Sequence, residues 1–202
     1  MAFETGVVTW VKTHLKHHAL SDQKGKDPHT PLDGFIHAHL GWIIDGWYVE
    51  PTYGEWLDHD RVAQFFEKTF VFWSALGLFI PFVLGYWWTG SLHGAFTAFL
   101  WGGLVRVCLV HHVTWSVNSI CHTFGSQDYH TKDESRNNLL VGLFALGEGW
   151  HNNHHAFPNS PFHGLEWWQV DISGYFIRAL ARMGLVWELR VPTLEQIARK
   201  RV

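Results

Sequence analysis

Cysteine is nearly absent from this chain: there are two in 202 residues, Cys108 and Cys121. That excludes a disulfide framework and a CxxC metal pair. The formal net charge is −3, so no global basic field recommends nucleic acid as a partner. No Ser/Gly-rich linker interrupts the chain, and its length suits one substantial domain. The start, MAFETGVVTWVKTHLKHH, lacks the basic n-region of a signal peptide. No HExxH occurs, which disfavours a zincin protease. Carboxylate di-iron bundles use two Glu-x-x-His motifs, and only one such spacing is present, Glu148 to His151.

Charge is also missing over one long run. Thr69 to Thr89 (TFVFWSALGLFIPFVLGYWWT) holds 21 uncharged residues, enough to span a hydrocarbon core of roughly 30 Å. Pro81 inside it is tolerable in a membrane helix if a neighbour satisfies the carbonyl it frees. Trp87 and Trp88 fall near one end, where interfacial aromatics belong. After Thr89-Gly90-Ser91 a second apolar stretch runs from Leu92 to about Trp115, and Arg106 could snorkel from near its far end. The mean hydropathy of −0.04 averages over this segregation. Residues 1–68 carry six Lys/Arg and residues 116–202 carry eight, while the turn carries none. Positive flanks on both sides predict a helical hairpin with both flanks in the cytoplasm. Further on, Asp171 to Met183 reads as an amphipathic helix, either packed on a cap or lying at the interface. Thr193 after Pro192 can cap a short basic helix.

What the chain has in excess is histidine, 16 residues, and tryptophan, 13. The histidines are grouped by spacing, as HLKHH (His14, His17, His18) and HNNHH (His151, His154, His155). On a helix, i, i+3 and i+4 share a face, so each box directs three imidazoles into one volume. At this composition one such box is expected in roughly 0.1 of chains, so two are a site rather than an accident. Thr114, Asn118 and His122 follow at i, i+4 and i+8, one stripe of a continued helix. A structural zinc needs four ligands, and seven histidines exceed that. An all-imidazole set suits iron, zinc or copper. More than six ligands argue for two ions, which beside a membrane favours oxygen chemistry on a lipid.

These stretches match a family. HLKHHALSDQKGKDPH (14–29), FIHAHLGW (35–42), TWSVNSICH (114–122), GEGWHNNHHAFP (147–158) and HGLEWWQVDISG (163–174) resemble the membrane fatty acid desaturases. The likeness is to the stearoyl-type delta-9 acyl desaturases, the last stretch looking most like bacterial members. The resemblance implies an all-α fold of four transmembrane helices under a cytosolic helical cap that holds two iron ions (Fe2+). Within one desaturase domain, residues 1–68 would be a cytosolic segment, 69–115 the membrane hairpin and 116–202 the cap. Carried over by position, His14, His17 and His18 are the second histidine box and His151, His154 and His155 the third. His122 is an additional ligand, and Asn118 holds a metal through a water. Trp10 and Thr114 match residues lining a kinked acyl tunnel, and Glu4 stands where some members have glutamine.

The implied reaction places a cis double bond, at the delta-9 position, in a saturated acyl chain carried as acyl-CoA or acyl-lipid. It uses O2 and two electrons from an external donor, a ferredoxin, a rubredoxin or a cytochrome b5-like protein. The implied location is a bacterial cytoplasmic membrane, with the boxes facing the cytoplasm. Asp171 and Glu148 are candidates to orient imidazoles, or else to serve as solvated or capping residues. His29 and His39 match no ligand and read as hydrogen-bonding structural histidines. The family's first box, HxxxxH, and two membrane helices precede the segment that here begins at Met1. Truncation at an internal methionine is the expectation, a short protein needing a partner the alternative. Rival readings are a histidine-box hydroxylase or ketolase, and a membrane metal-binding protein without turnover.

Overall fold

The computed structural model describes residues 3–44 and 52–202. The chain forms two compact units, one from Met1–Lys16 with Trp47–His112, the other from His17–Gly46 with Val113–Val202. Among the described residues the architecture is all-helical, with isolated β-bridges but no strand.

In the first unit, helix α1 begins at Val7 and runs on to Leu20. Its first turn leaves backbone N–H groups without helical acceptors. Glu67 supplies them, accepting from Val8 N at 2.8 Å and from the Thr9 hydroxyl at 2.6 Å. Glu67 belongs to α2 (Arg61–Lys68), whose own start is capped by Asp60, bonded to Val62 N and Ala63 N. A buried Lys12 reaches Asp58 at 2.8 Å.

The expected hairpin is present as α3 (Phe70–Thr89) and α4 (Leu92–Ser119), the second longer than the sequence suggested. Gly90 closes α3 in the left-handed conformation at φ +65°, and Ser91 caps α4 through Gly94 N. Only 11% of the apolar window of each helix is buried, unlike the mostly buried core helix of a soluble protein, and an apolar surround suits so much exposed apolar surface. The two helices approach through small residues. A side chain at Gly85 would strike Ala98 and the Gly94 carbonyl, and one at Gly102 would press on Pro81, the close approach that membrane helices use.

Arg106 does not snorkel. Pro81 has no N–H, so the carbonyl four residues earlier, Gly77 O, loses its helical donor. The Arg106 guanidinium bonds that carbonyl at 3.2 Å, while its Nε bonds Gly102 O at 2.8 Å. Gly102 lies in a π-helical widening of α4, Leu100–Val105, where the ladder is also disturbed. One arginine thus satisfies polar backbone on both helices.

Within the second unit, residues 113–121 pack against the segment that follows them. Val117 and Cys121 meet Val141 and Ala145, the latter on and just after α5 (Leu139–Phe144), which Asn138 caps. Burial pushes the Cys121 thiol up to about 12, so it packs as an inert apolar group. Helix α6 (His151–Ala156) carries the HNNHH box. The glycines before it allow a close pass: a Cβ on Gly149 would collide with the Gly142 backbone, and Gly147, at φ +118°, sits against Asp171. Asp171 caps α7 (Ile172–Arg182) through Gly174 N, and Thr193 forms a capping box on α8 (Leu194–Lys200), as the sequence led us to expect.

Replacing Arg106 by leucine should cost about 1–3 kcal/mol, the penalty of stranding buried polar groups, read as a lower unfolding midpoint in detergent. Pro81→Ala restores a helical donor for Gly77 O, so the double variant should recover part of that loss. A fully additive cycle would refute the pairing.

Candidate metal centre

The histidine clusters assemble from three elements of the second unit. The end of α1 brings His17 and His18, α6 brings His151, His154 and His155, and the turn after α4 brings His122. That turn departs from the expected stripe, because α4 ends at Ser119. Cys121 N reaches back five residues to Ser116 O at 3.3 Å, and Phe124 N closes on Ile120 O at 2.7 Å. His122 still reaches the site, from a turn rather than from a helix face.

Each box divides its imidazoles between two groups. In the first, His17, His122, His151 and His155 gather buried ligand atoms within 4.8 Å of one another. Nε2 of His151 is 3.1 Å from Nε2 of both His122 and His155, and His17 Nε2 is 3.3 Å from His155 Nε2. In the second, His18 Nε2 and His154 Nε2 lie 2.8 Å apart. His14 stands one turn before His18 on α1, stacked on Trp10 at 4.8 Å.

Carboxylates outside the cluster fix the tautomers. His17 Nδ1 donates to Asp27 at 2.9 Å, His122 Nδ1 to Asp22 at 2.8 Å and His155 Nδ1 to Asp133 at 2.9 Å. A proton held at Nδ1 leaves Nε2 as a bare lone pair. His17 and His155 therefore point two lone pairs at each other with no proton between them. His151 can supply one proton to the group, and no more, while neutral. Its own Nδ1 is buried without a partner. Burial, reinforced by the neighbouring rings, holds its pKa well below the ordinary histidine range. Burial also lowers His155, against the opposing pull of Asp133. The arrangement is repulsive on its own and matches what a cation with nitrogen ligands needs.

Charge accumulates outside this ring of nitrogens. Burial raises Asp133 and Asp22, yet the hydrogen bonds from His155 and His122 and from nearby donors outweigh it, leaving both carboxyls below the usual carboxylate range. Asp27, its side chain wholly buried, is raised by burial to about 6, offset in part by the backbone N–H groups of Asp22 and His29. Asp22 also accepts from Thr30 and Glu134 N, each at 2.8 Å, and its own N–H donates to Asp27. Its backbone is left-handed, at φ +57°.

Sequence reasoning named other acids. Asp171 bonds the backbone N–H groups of His163, Gly164 and Gly174, so it clamps a loop and caps α7. Glu148 is exposed and bonds none of these rings. The three acids that do the orienting lie in loops with no periodicity, although Asp22 and Asp27 fall inside the quoted stretch 14–29. His29 is buried against His17, ring centroids 4.2 Å apart, and burial lowers it to about 3. His39 bonds Ser119 at 3.0 Å. His163, unremarked in the sequence, packs on His154 at 4.5 Å.

The two asparagines of HNNHH anchor α6 from behind. Asn152 Oδ1 accepts from Asp128 N and Tyr129 N, while Asn153 donates to His163 O and Gln169 Oε1 and accepts from Asn137. Trp150, buried, bonds Val170 O at 2.8 Å. Of the remaining sequence candidates, Asn118 is half-buried one turn before His122, and Thr114 is half-buried on α4. Glu4 and Trp10 line a groove of about 430 Å³ in the first unit, walled by Phe66, Phe70 and Trp73.

A family model described as fatty acid desaturase matches residues 1–183. The chain is 40% identical to a hex-5-enoyl-[acyl-carrier protein] acetylenase of Moorena producens, over 100% of this chain and 67% of the relative. It is 38% identical to an acyl-CoA C20 Delta5-desaturase of Anemone leveillei, over 95% and 60%. It is also 37% identical to delta-9 acyl-lipid desaturase 1 of Arabidopsis thaliana, over 98% and 64%. The chain thus spans roughly three-fifths to two-thirds of the length of these curated relatives.

Asp133→Asn keeps the shape beside His155 but offers an amide where a carboxylate held the Nδ1 proton. Metal affinity should fall about 10- to 100-fold, measured by titrating Fe2+ or Zn2+ against a chelator. An affinity within twofold of the parent would sink the tautomer argument.

Proposed function

The chain belongs to the fatty acid desaturase family, and on that premise we propose that it takes part in placing a cis double bond, at the delta-9 position, in a saturated acyl chain. The family and the two lipid-length helices make it a membrane protein. The proposed setting is a bacterial cytoplasmic membrane, with the histidine boxes on the cytoplasmic side. The net reaction is –CH2–CH2– + O2 + 2 e− + 2 H+ → –CH=CH– + 2 H2O. O2 is the oxidant, and an external ferredoxin, rubredoxin or cytochrome b5-like donor is the reductant.

One observation carries the reading: four buried imidazole nitrogens converge, and the opposite ring atoms of three of those imidazoles bond carboxylates. Such a set fits iron. His17, His122, His151 and His155 would hold one ion, and His18 and His154 would contribute to a second. The resemblance adds His14 and, through a water, Asn118. When bound, the irons supply the activated oxygen chemistry that an unactivated C–H bond requires and no side-chain base can provide.

The chain's own residues do the rest. Asp22, Asp27 and Asp133 hold the rings with Nε2 aimed inward, and the imidazoles add no negative charge of their own. Asn152 and Asn153 hold α6 rigid behind its ligands. Burial of the first nitrogen group excludes bulk water, which would intercept a strong oxidant. In the first unit, Glu4 and Trp10 open on an aromatic-walled groove, and an apolar groove is what an acyl chain requires. Trp10 and Thr114 would line the path of that chain. The relatives' names give acyl-carrier protein, CoA and lipid as carriers. The acyl chain of the proposed reaction is carried in one of these three forms.

Iron content and product mass, measured on one preparation, test this. The parent should hold iron and, supplied with reductant and O2, yield an acyl chain lighter by two hydrogens. His155→Ala should lose iron and product together. A product heavier by one oxygen would instead identify a hydroxylase, and a metal-free parent would end the proposal.

A further inference from the structure

Beyond α6 lies a concavity with no place in the site described so far. Its volume is about 410 Å³, and its walls are the segment after α6 and the C-terminal stretch around α8. Arg190, Arg199 and Lys200 line it, with no acidic residue among its walls, and Val191 and Pro192 add an apolar strip. Among the described residues, neither Arg190 nor Arg199 has a carboxylate partner. Arg201, by contrast, pairs with Glu166. From Arg178 to the C-terminus six Arg/Lys stand against two Glu, in a chain of net charge −3. The positive charge of the second unit is therefore gathered on this tail.

The floor of the groove is Ala156 and Phe157. Ala156 is joined by one peptide bond to His155, whose Nε2 lies in the four-nitrogen group. Lys200 Nζ donates to Ala156 O at 2.5 Å and sits 5.2 Å over the Phe157 ring. A charge carrier seated in the groove would meet the end of the helix that bears three of the histidines.

We infer that this groove is the docking face of an acidic one-electron carrier protein, the reductant of the proposed reaction. The inference rests on the desaturase reading. Each docked carrier is oxidised by one electron, and two such events supply the pair that the net reaction consumes. Electron transfer falls off steeply with distance, so a face one residue from a ligand is a favourable entry point. An open basic groove with exposed guanidiniums and an apolar strip suits a transient protein encounter steered by charge, of the small, weak kind that redox partners form. A tightly held phosphate would instead call for buried, preorganised donors.

The probe is an acidic [2Fe–2S] ferredoxin, titrated against the iron-loaded protein at low and high salt. Arg190→Glu with Arg199→Glu should raise the Kd at least tenfold at low salt and flatten its salt dependence, with iron content and melting temperature unchanged. Arg190→Lys with Arg199→Lys should restore most of the affinity. An unchanged Kd overturns the inference. So does a parallel loss of affinity for a short acyl-CoA with ferredoxin binding intact, which would mark a phosphate site. Dithionite-driven product formation separates the two claims. If the parent forms product but the reversal leaves ferredoxin binding intact, the docking face is wrong and the desaturase reading stands. If the parent binds ferredoxin through these arginines yet holds no iron, the desaturase reading fails.

Discussion

Three hydrogen bonds of 2.8 to 2.9 Å, from the Nδ1 atoms of His17, His122 and His155 to Asp27, Asp22 and Asp133, govern how the second unit is built. They settle where each imidazole keeps its proton, and therefore which nitrogen faces inward bare. The loops around them hold the carboxylates in place. Asp22 ties the loop after α1 to Thr30 and to Glu134 N, next to the Asp133 that orients His155. Loops distant in sequence thereby become one frame. The left-handed backbone of Asp22 is a local cost of order 1 kcal/mol or more that these bonds offset.

The membrane hairpin obeys the same rule in another solvent. A polar atom away from water must have a partner. In the histidine cluster that demand falls on ring nitrogens, and in the hairpin on backbone carbonyls. Pro81 removes a donor, Gly102 sits where the ladder widens, and Arg106 serves both helices. Placing a guanidinium in such a segment would be severe if its charge went unsolvated. Two carbonyl dipoles make it tolerable, and in exchange the two helices are tied together beside the proline.

Features with a period were legible in the sequence. The uncharged run gave α3, the turn Thr89-Gly90-Ser91 gave the hairpin, and i, i+3, i+4 spacing gave both histidine boxes. Membership of the desaturase family, read from those boxes and their contexts, agrees with the family match over residues 1–183. What escaped lay in loops. Asp22, Asp27 and Asp133 have no spacing that relates them to the imidazoles, and Asp133 is 22 residues from the ring it orients. Asp171 and Glu148 were candidates as well, but Asp171 bonds backbone amides, and Glu148 orients none of these rings. His122 was expected on a helical stripe, whereas the i to i−5 bond of Cys121 ends the regular helix first. The split of each box into two nitrogen groups was also invisible. Helical spacing says which side chains share a face, while the assignment of each ring to a group depends on which neighbour it meets.

The asparagines inside HNNHH show why ligand spacing alone would not make this site. A helix of six residues has too few internal hydrogen bonds to hold itself, and α6 is six residues long. Its rigidity comes from outside. Asn152 is bonded to the backbone of Asp128 and Tyr129, Asn153 to Asn137, His163 and Gln169, and Trp150 to Val170. The segment that receives Asn152 is itself pinned by the C-terminus, through His130 N to Lys200 O and Val202 N to Asp128 O. The basic tail and the histidine helix consequently share one wall. A force that moved the tail would act on α6 through Asn152, and through the loop carrying Asp133 on the proton at His155 Nδ1. Ligand geometry, tautomer and the charged surface outside are in this way mechanically one object, built on a helix that could not stand alone.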